Sequence, residues 1–309
     1  MNTSSIRRRA FLGLAAMTVS APLCRAIDEI RRAGPPRLKL SLAAYSFRDF
    51  FKAQPGGKVG KPPAGREMDM PRFIDFCALH GCDGAELTSY YIPTPVTQEF
   101  LLDLRRHAFL RGVAVSGTAV GNTFTAPKGE RRDREIASVK QWIQFAQVLG
   151  APHIRVFAGN LEGQAPADAK RHCIEALEEC GEAAGRAGVF LGIENHGGIV
   201  AEADELVDIV RTIRSPWVGI NLDSGNFHSP DPYADLRKCL PFAVNVQVKV
   251  EIQRNNSKAE PSDLGLLVRM LNEARYQGWV ALEYEAAEDP HLAVPRYLGQ
   301  LGALMRARA

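Results

Sequence analysis

From residue 37 onward, short apolar runs alternate with stretches in which apolar residues return every three or four positions. The runs at 38–47, 82–87, 113–120, 153–157, 189–194, 217–222, 244–250 and 279–284 predict eight strands. Helical patterns lie between them near 70–80, 97–110, 133–149, 167–187, 202–213, 233–240 and 263–276, with a last one near 291–306. Segments such as Val189-Phe190-Leu191-Gly192-Ile193 are apolar throughout, as parallel strands buried on both faces require. Gly81, Gly112, Gly150, Gly188 and Gly278 fall where a helix must close before the next strand. Eight such pairs without a break in composition predict an α/β fold, a single (β/α)8 TIM barrel over 37–309. The rival, a doubly wound open sheet, favours a glycine-rich turn after its first strand, and Ala43–Arg48 contains no glycine. The segment 52–66, rich in Gly, Pro and Lys, reads as a loop over the barrel's C-terminal face.

In such a barrel the chemistry collects where strands end, because the βα loops converge there. Strand 5 ends in Glu194-Asn195-His196-Gly197-Gly198, and strand 6 in Asn221-Leu222-Asp223-Ser224-Gly225-Asn226-Phe227-His228. Strand 7 carries Asn245, Gln247, Lys249 and Glu251 at alternate positions, and strand 8 ends in Glu283-Tyr284-Glu285. Glu194, Asp223, Gln247 and Glu283 thus stand at similar heights on four consecutive strands. Three carboxylates in one low-dielectric pocket repel one another, and a divalent cation would remove the repulsion. The expectation is one divalent metal ion held by these four side chains. Ligand hardness favours Mn²⁺ or Mg²⁺ and leaves Zn²⁺ and Co²⁺ open. The plainer reading of any one strand-end acid is a salt bridge or helix cap. For Lys249 the alternatives are an interior ion pair with Glu283 or Glu285 and a contact to substrate. His196 and His228 read as groups beside the substrate rather than as ligands. His80, His107, His172 and His291 lie in helical patterns and read as surface or packing residues.

Charge changes the picture only at the N-terminus. The formal net charge is +3, yet residues 1–26 hold Arg7, Arg8, Arg9 and Arg25 and no acid. Without them 34 basic residues face 35 acidic ones, a net of −1, so nothing points to a nucleic-acid surface. Arg7-Arg8-Arg9-Ala10-Phe11-Leu12 precedes a weakly apolar run from Gly13 to Leu23, with Ala26 at a plausible cleavage point. Residues 1–26 are therefore expected to be a twin-arginine signal peptide, which the Tat machinery reads in exporting a folded protein to the periplasm or beyond, and 27–36 a linker. The other reading is a basic tail on a cytosolic enzyme. No apolar run approaches the roughly 20 residues of a membrane span, so no membrane contact is expected once the signal is removed. A homo-oligomer is left open. Cys77, Cys82, Cys173, Cys180 and Cys239 are odd in number and lack zinc-ribbon spacing, which reads as core thiols rather than a disulfide framework.

Taken together, Ala44-Tyr45-Ser46-Phe47, Gly84-Ala85-Glu86-Leu87, Ile193–Gly198, Leu222-Asp223-Ser224-Gly225 and Leu282-Glu283-Tyr284-Glu285 resemble the xylose isomerase-like TIM barrels, which include sugar phosphate isomerases and epimerases. The resemblance implies metal ligands from strands 5 to 8, here Glu194, Asp223 and Glu283, with Gln247 standing where the family has a histidine. It also implies an Asp-x-x-His pattern on strand 6, whose histidine position holds Asn226, with His228 two residues further on. The implied chemistry moves a proton next to a ketose carbonyl through a metal-stabilised enediolate, with Glu194 and Glu283 as the catalytic pair. Glu86 and Arg155 are expected to contact substrate hydroxyls. A small-molecule carbohydrate is the implied substrate, and export points away from phosphorylated sugars. The same first step fits a lyase or dehydratase acting on a keto-sugar or keto-glycoside. The departures at Gln247 and Asn226 keep a non-catalytic sugar-binding barrel open. An endonuclease of the same superfamily would need a histidine-rich multi-zinc site and a basic groove, and this sequence has neither.

Overall fold

The computed structural model describes residues 28–51, 62, 64–255 and 257–307. The expected signal peptide and most of the loop expected over 52–66 lie outside the described residues. In chain order the elements are β1 (Arg37–Ala43), α1 (Met70–Leu79), β2 (Gly84–Thr88), α2 (Gln98–Leu110), β3 (Ala114–Ala119), α3 (Glu130–Leu149), β4 (His153–Phe157), α4 (Pro166–Ala187) and β5 (Phe190–Glu194). They continue with α5 (Ala203–Thr212), β6 (Val218–Asp223), α6 (Pro232–Cys239), β7 (Ala243–Val248), β8 (Glu251–Ile252), β9 (Glu260–Pro261), α7 (Leu264–Glu273), β10 (Gln277–Leu282) and α8 (Pro290–Arg306). Eight strands close into a parallel barrel in the order β1-β10-β7-β6-β5-β4-β3-β2. The expected (β/α)8 barrel is therefore the fold. Between β7 and α7, β8 and β9 form an antiparallel ribbon that the strand pattern does not announce. The first strand is shorter than expected: it stops at Ala43, and Ala44–Phe47 turn into a single 3₁₀ turn.

Helix ends follow from local chemistry. The Asp69, Thr97, Asp231, Asp263 and Asp289 side chains accept hydrogen bonds from first-turn amides of α1, α2, α6, α7 and α8. Gly150 and Gly188 end α3 and α4 at φ 75° and 69°, the left-handed region where a side chain would be strained.

The strands bury both faces, and their alternation divides two cores. Leu222, Val246 and Val248 pack outward against Leu236, Leu267 and Leu271 of α6 and α7. The intervening residues Asn221, Asp223, Asn245 and Gln247 turn into the barrel. Residues 28–36 run across the barrel's N-terminal end. The Ile30 amide donates to the Pro241 carbonyl (2.9 Å), and the Arg32 guanidinium donates to the Ala243 carbonyl while lying 4.8 Å from the Tyr276 ring centre. Gln277 Nε2 donates to the Ala33 and Pro35 carbonyls at 2.7 and 2.9 Å. The stretch read as a linker is thus fastened to the barrel over these residues. No helix among the described residues is long and apolar enough to cross a membrane.

Candidate active site

At the C-terminal end of the barrel, Glu194 closes β5, Asp223 closes β6, Lys249 follows β7 and Glu283 follows β10. Their inward faces bring them into one buried layer, each less than a tenth exposed. Lys249 Nζ lies 2.7 Å from Glu283 Oε2 and 3.3 Å from Asp223 Oδ2, and also contacts Glu285 Oε2. Arg155 of β4 completes the layer, with Nε 3.0 Å from Glu194 Oε2. Its Nη1 donates to the Val120 carbonyl at 3.0 Å and reaches the Tyr90 hydroxyl at 3.4 Å. Asn226 Nδ2 donates to Glu194 Oε1 at 2.9 Å, so both oxygens of that carboxylate are engaged. The interior ion pair is therefore the arrangement that Lys249 adopts here. Arg155 is paired with the acid of the neighbouring strand.

Inward side chains two or four residues earlier on β6 and β7, with Glu86 of β2, form a second layer deeper in the barrel. Gln247 Nε2 donates to Glu86 Oε1 at 2.6 Å, and Gln247 Oε1 accepts from Asn221 Nδ2 at 2.6 Å. Asn245 Nδ2 donates to Glu86 Oε2 and Asn221 Oδ1 at 2.9 and 2.7 Å. His153 lies beside this net, with Nε2 3.7 Å from Glu86 Oε2. Gly117 makes room for the imidazole, because a Cβ there would fall 1.9 Å from His153 Cε1. Gln247 and Glu86, expected respectively as a metal ligand and a substrate contact, thus satisfy one another below the carboxylates. Asn221 and Asn245, named above only as strand residues, and His153 gain here a role that the sequence reading does not give them. Their signal was available: each stands two residues before Asp223, Gln247 or Arg155 and so shares the interior face.

Burial and the fixed cations pull the site acids apart. Burial raises Glu194 above the ordinary carboxylate range, although Arg155 opposes it. Burial also raises Asp223, well above its usual range, against the pull of Lys249. For Glu283 burial acts the same way, but the Lys249 ammonium prevails and holds it below the usual value. Burial disfavours the charge on Lys249, yet Asp223, Glu283 and Glu285 outweigh it and push the ammonium well up.

Around the mouth, His196 is exposed and packs against the Phe157 ring, with centroids 4.7 Å apart. The Arg155 guanidinium covers Phe157, 4.0 Å from its ring centre. His228 is exposed and lines a cavity of about 220 Å³ with Asn226, Lys249, Gln253 and Glu285. That volume is below the roughly 300–1,000 Å³ of drug-sized sites and matches a small polar ligand.

The expected metal site finds a poor match in this geometry. Lys249 puts an ammonium between Asp223 and Glu283, in the place a shared cation would take. Gln247 spends its carbonyl oxygen on Asn221, and Arg155 with Asn226 covers both oxygens of Glu194. Among the described residues, no group of three or more His, Cys, Asp and Glu side chains is disposed to hold a metal ion. The residues as arranged do not fit an oxygen-lined divalent site.

The family model described as xylose isomerase-like TIM barrel matches residues 74–301. A putative hydroxypyruvate isomerase of Streptomyces coelicolor is 28% identical over 235 residues, covering 69% of this chain and 84% of that relative. Among solved structures, 3-keto-D-glucoside 4-epimerase from E. coli superposes with a TM-score of 0.64 at 15% identity, over 86% of this chain and 100% of the other. A xylose isomerase-like TIM barrel protein from Mycobacterium smegmatis in complex with magnesium gives 0.65 at 19% identity, over 90% and 98%. At these identities the structural likeness establishes the fold alone. With the family match covering most of the barrel, the chain belongs to the xylose isomerase-like TIM barrel family.

Proposed function

We propose that the protein is an isomerase or epimerase of a small carbohydrate, moving a proton on the carbon next to a carbonyl. The observation that carries this reading is the buried layer at the barrel mouth, in which Glu194 and Glu283 stand beside Arg155 and Lys249. Glu283, held ionised, takes the α-proton. Glu194, whose affinity for a proton burial raises, is the partner that relays one to the neighbouring carbon or oxygen, and reversal of the two roles completes an isomerisation. Arg155 and Lys249 present positive charge where the enediolate oxygens develop negative charge, and the dry pocket strengthens that attraction. A divalent ion of the Mn²⁺ or Mg²⁺ kind would enter only by displacing Lys249, so these steps use the chain's own side chains. The isomerase and epimerase names of the relatives support the reaction class.

The leader extends the proposal to place: Tat export to the periplasm or beyond, where unphosphorylated sugars or keto-glycosides are the accessible substrates. A screen of free ketoses and 3-keto-glycosides in D₂O, read by NMR for deuterium at the α-carbon, tests the reading. Exchange with at least one substrate, abolished by Glu194→Gln and by Glu283→Gln, is expected. Exchange retained in both variants would overturn the assignment of the pair. A β-elimination product in the same screen would place the protein among lyases that share the first step.

A further inference from the structure

Three acids and a lysine share one buried site, and the lysine is built in rather than draped over it. The Lys249 amide donates to Ser224 Oγ at 2.8 Å, which fixes the backbone at the end of β7. Its stem runs against Gly225, where an added Cβ would lie 2.6 Å from Lys249 Cγ and 2.8 Å from Lys249 Cβ. The Gly225 amide in turn donates to Asp223 Oδ1 at 2.8 Å, which leaves Oδ2, itself without a hydrogen-bond partner, 3.3 Å from the ammonium. Three elements, β6, β7 and the segment after β10, therefore converge to hold one nitrogen among three carboxylates. Holding a lysine on a flexible stem this closely costs rotamer entropy, which points to a role beyond filling space.

We infer that the Lys249 ammonium stands in for the divalent cation at this site, so that the protein binds and polarises its substrate without a bound metal. This rests on the reading of the site as a proton-transfer centre. It follows from the clash between the expected ligand set and the geometry. Asp223 and Glu283 share Lys249 as their cation, Glu194 takes Arg155, and Gln247 turns its oxygen to Asn221. Two monovalent cations on separate strands replace one divalent ion. The charge they carry is fixed to the chain, and Lys249 borders the cavity, so its charge acts on a substrate oxygen seated there.

Metal binding separates this inference from the reading beneath it, because it is measured without substrate. The wild-type protein, purified and dialysed against Mn²⁺ and then buffer, is expected to hold far less than one metal per chain by plasma mass spectrometry. Its melting temperature should not move with Mn²⁺ or with EDTA. Lys249→Ala removes the ammonium and leaves the three acids, so Mn²⁺ affinity should rise roughly a thousandfold or more, the scale of a unit charge removed at about 4 Å and an effective dielectric near 20. Mn²⁺ electron paramagnetic resonance reads that gain directly. Lys249→Gln, with a neutral polar head of similar reach, guards against a folding failure in the alanine variant and should show the same direction. One tightly bound Mn²⁺ per wild-type chain would overturn the inference. So would folded Lys249 variants with wild-type Mn²⁺ affinity. If the wild type proves metal-free but no ketose or keto-glycoside exchanges deuterium, the inference about the cation stands and the proton-transfer reading fails.

Discussion

Gln247 offers the sharpest test of how the barrel interior is organised, because its two readings demand different outcomes. As a metal ligand it would matter only to a metal-loaded protein. As the hinge of the lower net it matters to every folded molecule. Gln247→Leu keeps the volume approximately and deletes both polar ends. It leaves Glu86 Oε1 without the donor at 2.6 Å and Asn221 Nδ2 without its acceptor at 2.6 Å, in residues at most 1% exposed. Each buried group left unpaired costs about 1–3 kcal/mol, and more when it is charged, so the variant should lose roughly 2–6 kcal/mol. Urea unfolding with EDTA present, and again with Mn²⁺, measures the loss in both conditions. The two values should agree. A cycle with Glu86→Gln and the double variant should show a coupling of about 0.5–3 kcal/mol between the two sites. Stability within about 0.5 kcal/mol of wild type in EDTA, the range of an inconsequential substitution, would refute the net as described. A loss confined to the Mn²⁺ condition would restore Gln247 as a ligand.

Other outcomes follow from neighbouring features. Gly117→Ala should destabilise by about 1–3 kcal/mol through overpacking against His153, and pairing it with His153→Ala should recover much of that loss in thermal unfolding. Arg155→Met strands Glu194 and should cost about 3–5 kcal/mol, as the loss of one partner in a buried ion pair does; equilibrium denaturation reads it. Cys77, Cys82, Cys173, Cys180 and Cys239 are buried and unpaired, and burial pushes Cys173, Cys180 and Cys239 up to about 12. A disulfide-exchange reagent should therefore label them slowly in the native protein and fully in urea. Asp289 is held below its usual pKa mainly by its hydrogen bond with Arg66. A depressed folded-state pKa stabilises above the unfolded value, so the stability gap between wild type and Asp289→Asn should close as pH falls below about 4.

The barrel was legible because its signals are local. Apolar runs, capping residues and helix-closing glycines each act over a few positions, and the parity of a strand assigns its residues to the interior or to the helix layer. Glu194, Asp223 and Glu283 emerged in this way and do share one layer. Pairing between side chains was not legible, because it depends on how neighbouring strands slide past one another. Strand ends alone place the acids and Gln247 level from one strand to the next. In a closed barrel the strands tilt, and a level layer does not follow the hydrogen-bonded register.

The register shows what that assumption missed. Glu194 pairs with Asn221, so Asp223 stands two residues beyond the partner of Glu194. Asp223 pairs with Gln247, so Lys249 stands two residues beyond the partner of Asp223. Each step round the barrel from β5 to β7 therefore moves the site layer two residues further along the chain, with a register shift between Ile220 and Asn221 that no composition rule would place. The climb then stops, because the Glu283 amide donates to the Val248 carbonyl and brings Glu283 beside Lys249 without a further offset. Counting across at one height selects Gln247, an amide that can lend a metal an oxygen. Following the climb selects Lys249, an ammonium that stands where the metal would be. The same strand thus supports opposite chemistries depending on a two-residue stagger. For this chain, strand ends identify which acids meet, while the shear of the barrel decides which cation meets them.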